Sequence, residues 1–141
     1  MDKVVLHFNG GSILKGRLLN FSPLKDSLSL KEASSNKKVD VDLRRLKAIF
    51  FVKSFKGDYK HKEKKAYTAR KIDNKKIFVK FNDAEFLVGY LDGPVPWDKG
   101  FFLSDKKMKS RGFLLFPVDR GSNNSVIFVI NSAVSAVTVV P

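Results

Sequence analysis

Two stretches of the chain, KVVLHFNGGSILKGRL at residues 3–18 and KIFVKFNDAEFLVGYL at residues 76–91, lie on each other without a gap at an offset of 73. Extended to residues 30 and 103, that register holds eight identities: Lys3/Lys76, Phe8/Phe81, Asn9/Asn82, Leu14/Leu87, Gly16/Gly89, Leu18/Leu91, Pro23/Pro96 and Leu30/Leu103. After a longer insertion in the second copy the match resumes at an offset of 88, with LKAIFFV at 46–52 on VSAVTVV at 134–140. An internal repeat governs a fold more strongly than local propensity does. The chain therefore reads as two copies of one unit.

Within each copy the apolar residues alternate. Val4, Leu6 and Phe8 face one way and Val5 and His7 the other, which is the period of a strand. Asn9-Gly10-Gly11 and Asn82-Asp83-Ala84 stand where a hairpin turn belongs, because Asn, Asp and Gly tolerate positive φ at low steric cost. Residues 12–21 then form a long second strand, bent at Gly16 as its counterpart is at Gly89. Strands at 27–33 and 37–41 follow. Leu43-Arg44-Arg45-Leu46 reads as one helical turn, and residues 48–52 close the unit. The unbroken apolar run of that last strand suits burial on both faces or at an interface between modules. The expected division is a first module at 1–52, a basic connection at 53–75 and a second module at 76–141. The second copy carries an insertion at 104–124 that includes GFLLFP at 112–117, and part of this insertion is expected to be an extra strand.

Five short strands with a bent second strand and a helical turn before the last resemble the SH3-like and Sm-like small barrels. The resemblance implies an all-β chain of two tandem five-stranded small barrels, the second with an insertion. Where Sm proteins carry an Asp-x-Met-Asn loop this chain has SPLKDS at 22–27, and their later Arg-Gly pair falls on Arg44-Arg45 or Ser132-Ala133. The resemblance thus reaches the fold and not uridine recognition. KVVLHF, LKAIFFVKSFKGD and SNNSVIFV are also similar to an uncharacterised bacterial family associated with PilZ and receiver domains. Cyclic dinucleotide binding of the PilZ kind needs RxxxR and (D/N)xSxxG. Arg44-Arg45 has no Arg at the required spacing, and Asp119-Arg120-Gly121-Ser122 places its Ser one position late.

Composition narrows the function classes. The 141 residues include 27 Lys and Arg against 14 Asp and Glu, a formal charge of +13, with 43% apolar residues and no Cys. That apolar content suffices for a buried core. The lack of Cys removes disulfides, thiolate metal sites and a thiol nucleophile, and it fits a reducing, cytoplasmic location. No apolar run approaches the roughly 18 residues of a spanning helix, so no membrane insertion is expected.

Reactive groups are few. His7 alternates with Val5 on a strand, where a packing role is expected, and His61 sits in the charge run KHKEKK. Asp40 and Asp42 face the same side two residues apart, but Lys37, Lys38, Arg44 and Arg45 around them favour ion pairing over a metal. The sequence has no P-loop, no HExxH and no dinucleotide fingerprint. A non-enzymatic protein without cofactor or metal is the expectation.

What remains is a positive field with aromatics. Residues 53–75 carry nine Lys and Arg against three acids. Such a field concentrates polyanions, and rings beside the cations could stack on unpaired bases. The expected contacts for single-stranded RNA or DNA are Arg44, Arg45, Lys53, Lys56, Lys60, Lys62, Lys64, Lys65, Arg70 and Lys71, with Tyr59 and Tyr67 as stacking residues. The alternative is a signalling or structural adaptor whose strand edges and Phe-rich surfaces engage a protein partner.

Overall fold

A computed structural model describes residues 2–53, 75–91, 111–118 and 123–140 of the chain. These form β1 (Lys3–Phe8), β2 (Ile13–Asn20), β3 (Ser27–Glu32), β4 (Lys38–Asp42), a 3-10 turn at Leu43–Arg45, and β5 (Leu46–Val52). After residue 74 come β6 (Lys75–Phe81), β7 (Phe86–Leu91), β8 (Gly112–Pro117), β9 (Asn124–Ile130), a 3-10 turn at Asn131–Ala133, and β10 (Val134–Val139). The expected all-β class holds. All ten strands join one antiparallel sheet, in the order β10-β6-β7-β8-β9-β5-β1-β2-β3-β4. That sheet is open, so two separately closed barrels are not what the described residues form. The expected connection at 53–75 lies outside the described residues, apart from its ends at Lys53 and Lys75.

The repeat is exact in chain path. The order β5-β1-β2-β3-β4 in the first half recurs as β10-β6-β7-β8-β9 in the second. Register recurs with it: Val5 pairs Lys15 and Phe50 where Phe78 pairs Val88 and Thr138. Even the irregularity of β1 against β5 near Phe8 has its counterpart where β6 meets β10 near Phe81.

The duplicated residues each do a structural job twice. Asn9 donates from its side-chain amide to the Arg44 carbonyl (3.1 Å) and from its main chain to that of Arg45 (3.0 Å), tying the hairpin turn to the 3-10 turn. Asn82 does the same to Ser132 (3.0 Å) and Ala133 (2.8 Å). A Cβ on Gly16 would stand 2.6 Å from the Lys31 carbonyl oxygen and would strike Leu30, and one on Gly89 would meet the Phe116 oxygen at 2.6 Å and Leu115. Neighbouring backbones approach too closely there for any side chain.

One expectation about the repeat is corrected. GFLLFP is no extra strand: β8 pairs with β7 and β9 as β3 pairs with β2 and β4, so it is the third strand of the second repeat. Leu30 and Leu115, both fully buried, are the true counterparts, at an offset of 85. The Leu30/Leu103 identity at offset 73 is therefore coincidental in this fold. Leu103 and Pro96 lie outside the described residues.

The two halves share strands at their junction. β5 pairs with β9, from Ala48 opposite Val129 to Phe51 opposite Val126. Alternate residues of each strand then enter different cores. Leu46 and Ile49 pack with Val4, Leu6, Leu28, Leu30 and Val41 of the first repeat, and Phe128 and Ile130 of β9 join them. Ala48 and Phe50 pack instead with Ile77, Val79, Phe81, Leu115, Ile127 and Val129 of the second. The unbroken apolar runs of β5 and β9 are thus explained by two cores, one on each face.

Candidate nucleic-acid interface

Strand alternation that buries Val4, Leu6, Leu28, Leu30 and Val41 sends the intervening residues to the opposite face of the first repeat. Pairing then aligns four cations across four strands. Lys3 is opposite Arg17, Arg17 opposite Lys31, and Lys31 opposite Lys38. With neighbouring strands about 4.8 Å apart, the row is about 14 Å long. Like charges directly opposite one another destabilise a sheet, so the row is a cost to the fold unless an anion offsets it. Among the described residues none of the four enters a salt bridge.

The carboxylates nearby are engaged elsewhere. Asp40 accepts a hydrogen bond from the Ser29 hydroxyl at 2.6 Å. Glu32 accepts from Ser35 at 2.6 Å and Ser34 at 3.1 Å, which lowers its pKa. Asp42 is held by Arg44 through side-chain bonds of 2.7 Å and 3.1 Å and by its main-chain N–H at 2.8 Å. The Arg44 contacts bring the Asp42 carboxyl down to about 2.

The second repeat bears a different face on the same scaffold. Lys3, Arg17 and Lys31 are replaced by Lys76, Tyr90 and Phe116, which are likewise paired in a row. Val5 and Ile13 give way to Phe78 and Phe86. Their rings stack at 4.9 Å and 18°, and they remain 40% and 54% exposed. Lys76 and Lys80 flank Phe78 on the same strand face, and Lys80 pairs with Phe86. Exposed stacked rings beside ammonium groups form a surface with an apolar plane and a positive rim.

Three of the residues expected from sequence to contact nucleic acid are described. Arg44 is exposed and paired with Asp42. Arg45 lies over the Phe8 ring at 5.5 Å. Both follow the end of β4, about 13 Å along the strand from Lys38. Lys53 donates its main-chain N–H to Asn123 at 2.9 Å, while its ammonium is withdrawn from solvent without a hydrogen-bond partner among the described residues. Lys56, Tyr59, Lys60, Lys62, Lys64, Lys65, Tyr67, Arg70 and Lys71 lie outside the described residues. The cross-strand row escaped the sequence reading because its members are spread over residues 3–38. Only the register assembles them.

A cleft of about 290 Å³ opens where the repeats meet, lined by Asn9, Lys47, Phe81, Asn82, Asp83 and Ala133. Lys47 is nearly buried there. It bridges Asp83 at 2.9 Å and Glu85, and lies 4.8 Å from the Phe81 ring centroid. One ammonium thus ties two carboxylates of the second repeat's hairpin turn to β5 and serves the joint. His7 packs its ring on Phe50 at 4.2 Å, and burial, with Lys47 nearby, lowers its pKa. Among the described residues no three His, Asp or Glu side chains converge as a metal site. No helix among them is long and apolar enough to cross a membrane.

Over residues 1–141 the chain matches a family of unknown function, DUF6982. No curated protein and no solved structure matches it.

Proposed function

We propose that this chain, which belongs to the DUF6982 family, is a non-enzymatic binding protein for single-stranded nucleic acid, built from two repeats of one five-stranded unit, at 1–52 and 76–141, within a single open sheet. The row Lys3, Arg17, Lys31 and Lys38 carries the reading. Four cations in register, unpaired among the described residues, are costly to hold together, and a phosphate chain laid across β1–β4 offsets that cost. Phe78 and Phe86 supply planes for unpaired bases, and Lys76 and Lys80 sit where they would meet the adjoining phosphates. The association with PilZ and receiver domains and the cytoplasmic setting belong to this proposal too.

The test is fluorescence anisotropy with a labelled single-stranded oligonucleotide at rising salt. Affinity is expected to fall steeply. Replacing all four row cations by Gln should reduce the salt slope by about 3, given roughly 0.7 per single-strand phosphate contact. F78A/F86A should weaken oligonucleotide binding and leave heparin, which has no bases, unaffected. Absence of binding at low salt overturns the proposal. The adaptor reading draws on the same exposed Phe pair, and it gains if F78A/F86A abolishes capture of a defined protein while nucleic acid does not bind at all.

A further inference from the structure

The joint between the repeats is made by the fifth strand of the first, β5, and the fourth strand of the second, β9. The same two kinds of strand stand at the outer limits of the sheet formed by the described residues: β4 is the fourth strand of the first repeat, and β10 the fifth strand of the second. Each has one strand neighbour among the described residues. The edge of one copy is therefore preformed to receive the opposite edge of another, in a head-to-tail contact that would propagate into a ring or a filament.

The repeat dictates the register of such a contact. At an offset of 88, β4 maps onto β9 and β5 onto β10, so Ala136 would oppose Val41, Val137 would oppose Asp40, Thr138 would oppose Val39 and Val139 would oppose Lys38. At the internal joint the matching positions are apolar. Phe128 and Ile130 enter the first repeat's core and Phe50 enters the second's. At the outer edges Phe128 is replaced by Asp40, Ile130 by Asp42, Phe50 by Thr138 and Val126 by Lys38. A second copy docked in that register would drive the Asp40 carboxylate against Val137, beside the second repeat's core, with no cation opposite it. Burying a carboxylate whose hydrogen-bond partner is the neutral Ser29 hydroxyl is strongly unfavourable.

We infer that Asp40, Asp42 and Thr138 close the outer edges against a second copy of this chain, so that the joint forms once, within the molecule, and the sheet does not continue into another copy. The partner excluded is the protein itself, and the excluded contact is the one the fold already uses. This inference stands apart from any ligand.

Restoring the inner residues tests it. Wild type should hold its monomer mass of 15.9 kDa in light scattering as concentration rises, and D40F/D42I/T138F should associate. The scaffold accommodates these changes at the equivalent sites: the 3-10 turn at Asn131–Ala133 forms after Ile130 without a side-chain cap, and Leu114 opposite Phe128 stands where Ser29 opposes Asp40. Because the chain has no Cys, K38C/V139C reports the register. It should cross-link between copies in the D40F/D42I/T138F background and stay uncross-linked without those changes. D40V alone keeps the Asp42 cap, and it should raise cross-link yield several-fold if the triple variant fails to fold. Cross-linking of K38C/V139C in the otherwise wild-type protein, or folded D40F/D42I/T138F or D40V that remains monomeric and uncross-linked, overturns the inference.

Discussion

At the scale of single residues, the two copies differ most tellingly in their hairpin turns. Both close alike: Gly11 donates to the Phe8 carbonyl at 3.0 Å and Ala84 to that of Phe81 at 2.9 Å. Gly11 has φ of +100°, and Ala84 is held at +74°. A Cβ in the left-handed region costs an L-residue about 1–2 kcal/mol, while part of the gain from glycine is returned as extra freedom of the unfolded chain. A84G should therefore stabilise the protein by roughly 0.5–1 kcal/mol in urea denaturation. Open space surrounds a Cβ built on Gly11, so G11A should destabilise by about the same amount through backbone strain alone. A neutral outcome for both would mean that the turns relax on substitution.

At the scale of elements, β8 occupies in the second repeat the place β3 occupies in the first, and its central Leu115 is fully buried. Truncating a buried Leu costs about 2–5 kcal/mol, depending on how far the site collapses. L30A and L115A should therefore destabilise by similar amounts, within about 1 kcal/mol of each other, in chemical denaturation. A negligible cost for L115A would return β8 to the status of an insertion. The hairpins were legible in the sequence because their signals are local: Asn9-Gly10-Gly11 and Asn82-Asp83-Ala84 each close a turn back onto the preceding Phe, and Gly16 and Gly89 each mark a close approach. β8 was misread because an insertion between the second and third strands broke the offset, and the chance Leu30/Leu103 identity hid the break. The apolar run of β5 was legible as a strand buried on both faces, but its partner was not. The bond between β5 and β9 joins residues more than 70 positions apart, and alternation within a strand says nothing about which distant edge completes it. The cationic row has the same cause, being a property of register.

At the scale of the whole molecule, the question is whether the halves are two domains or one cooperative body. A unit of about 50 residues buries a smaller fraction of its surface than a larger one and is marginal alone. Here each half borrows apolar side chains from the other. Phe128, 2% exposed, lies in the first repeat's core with its ring 5.1 Å from that of Phe21, while its neighbours Ile127 and Val129 serve the second core. Ala48 and Phe50 make the reciprocal loan from β5. F128A deletes a ring from the first core, and its cost of about 3–5 kcal/mol should appear as one transition. Amide exchange in β6 and β7, which Phe128 does not touch through its own core, should then accelerate in parallel with that in β1 and β3, because the strand carrying the lesion belongs to both cores. Exchange confined to β1–β5, with β6 and β7 still fully protected, would show two units in contact. Parallel loss is expected from strands that cannot leave one core without opening the other.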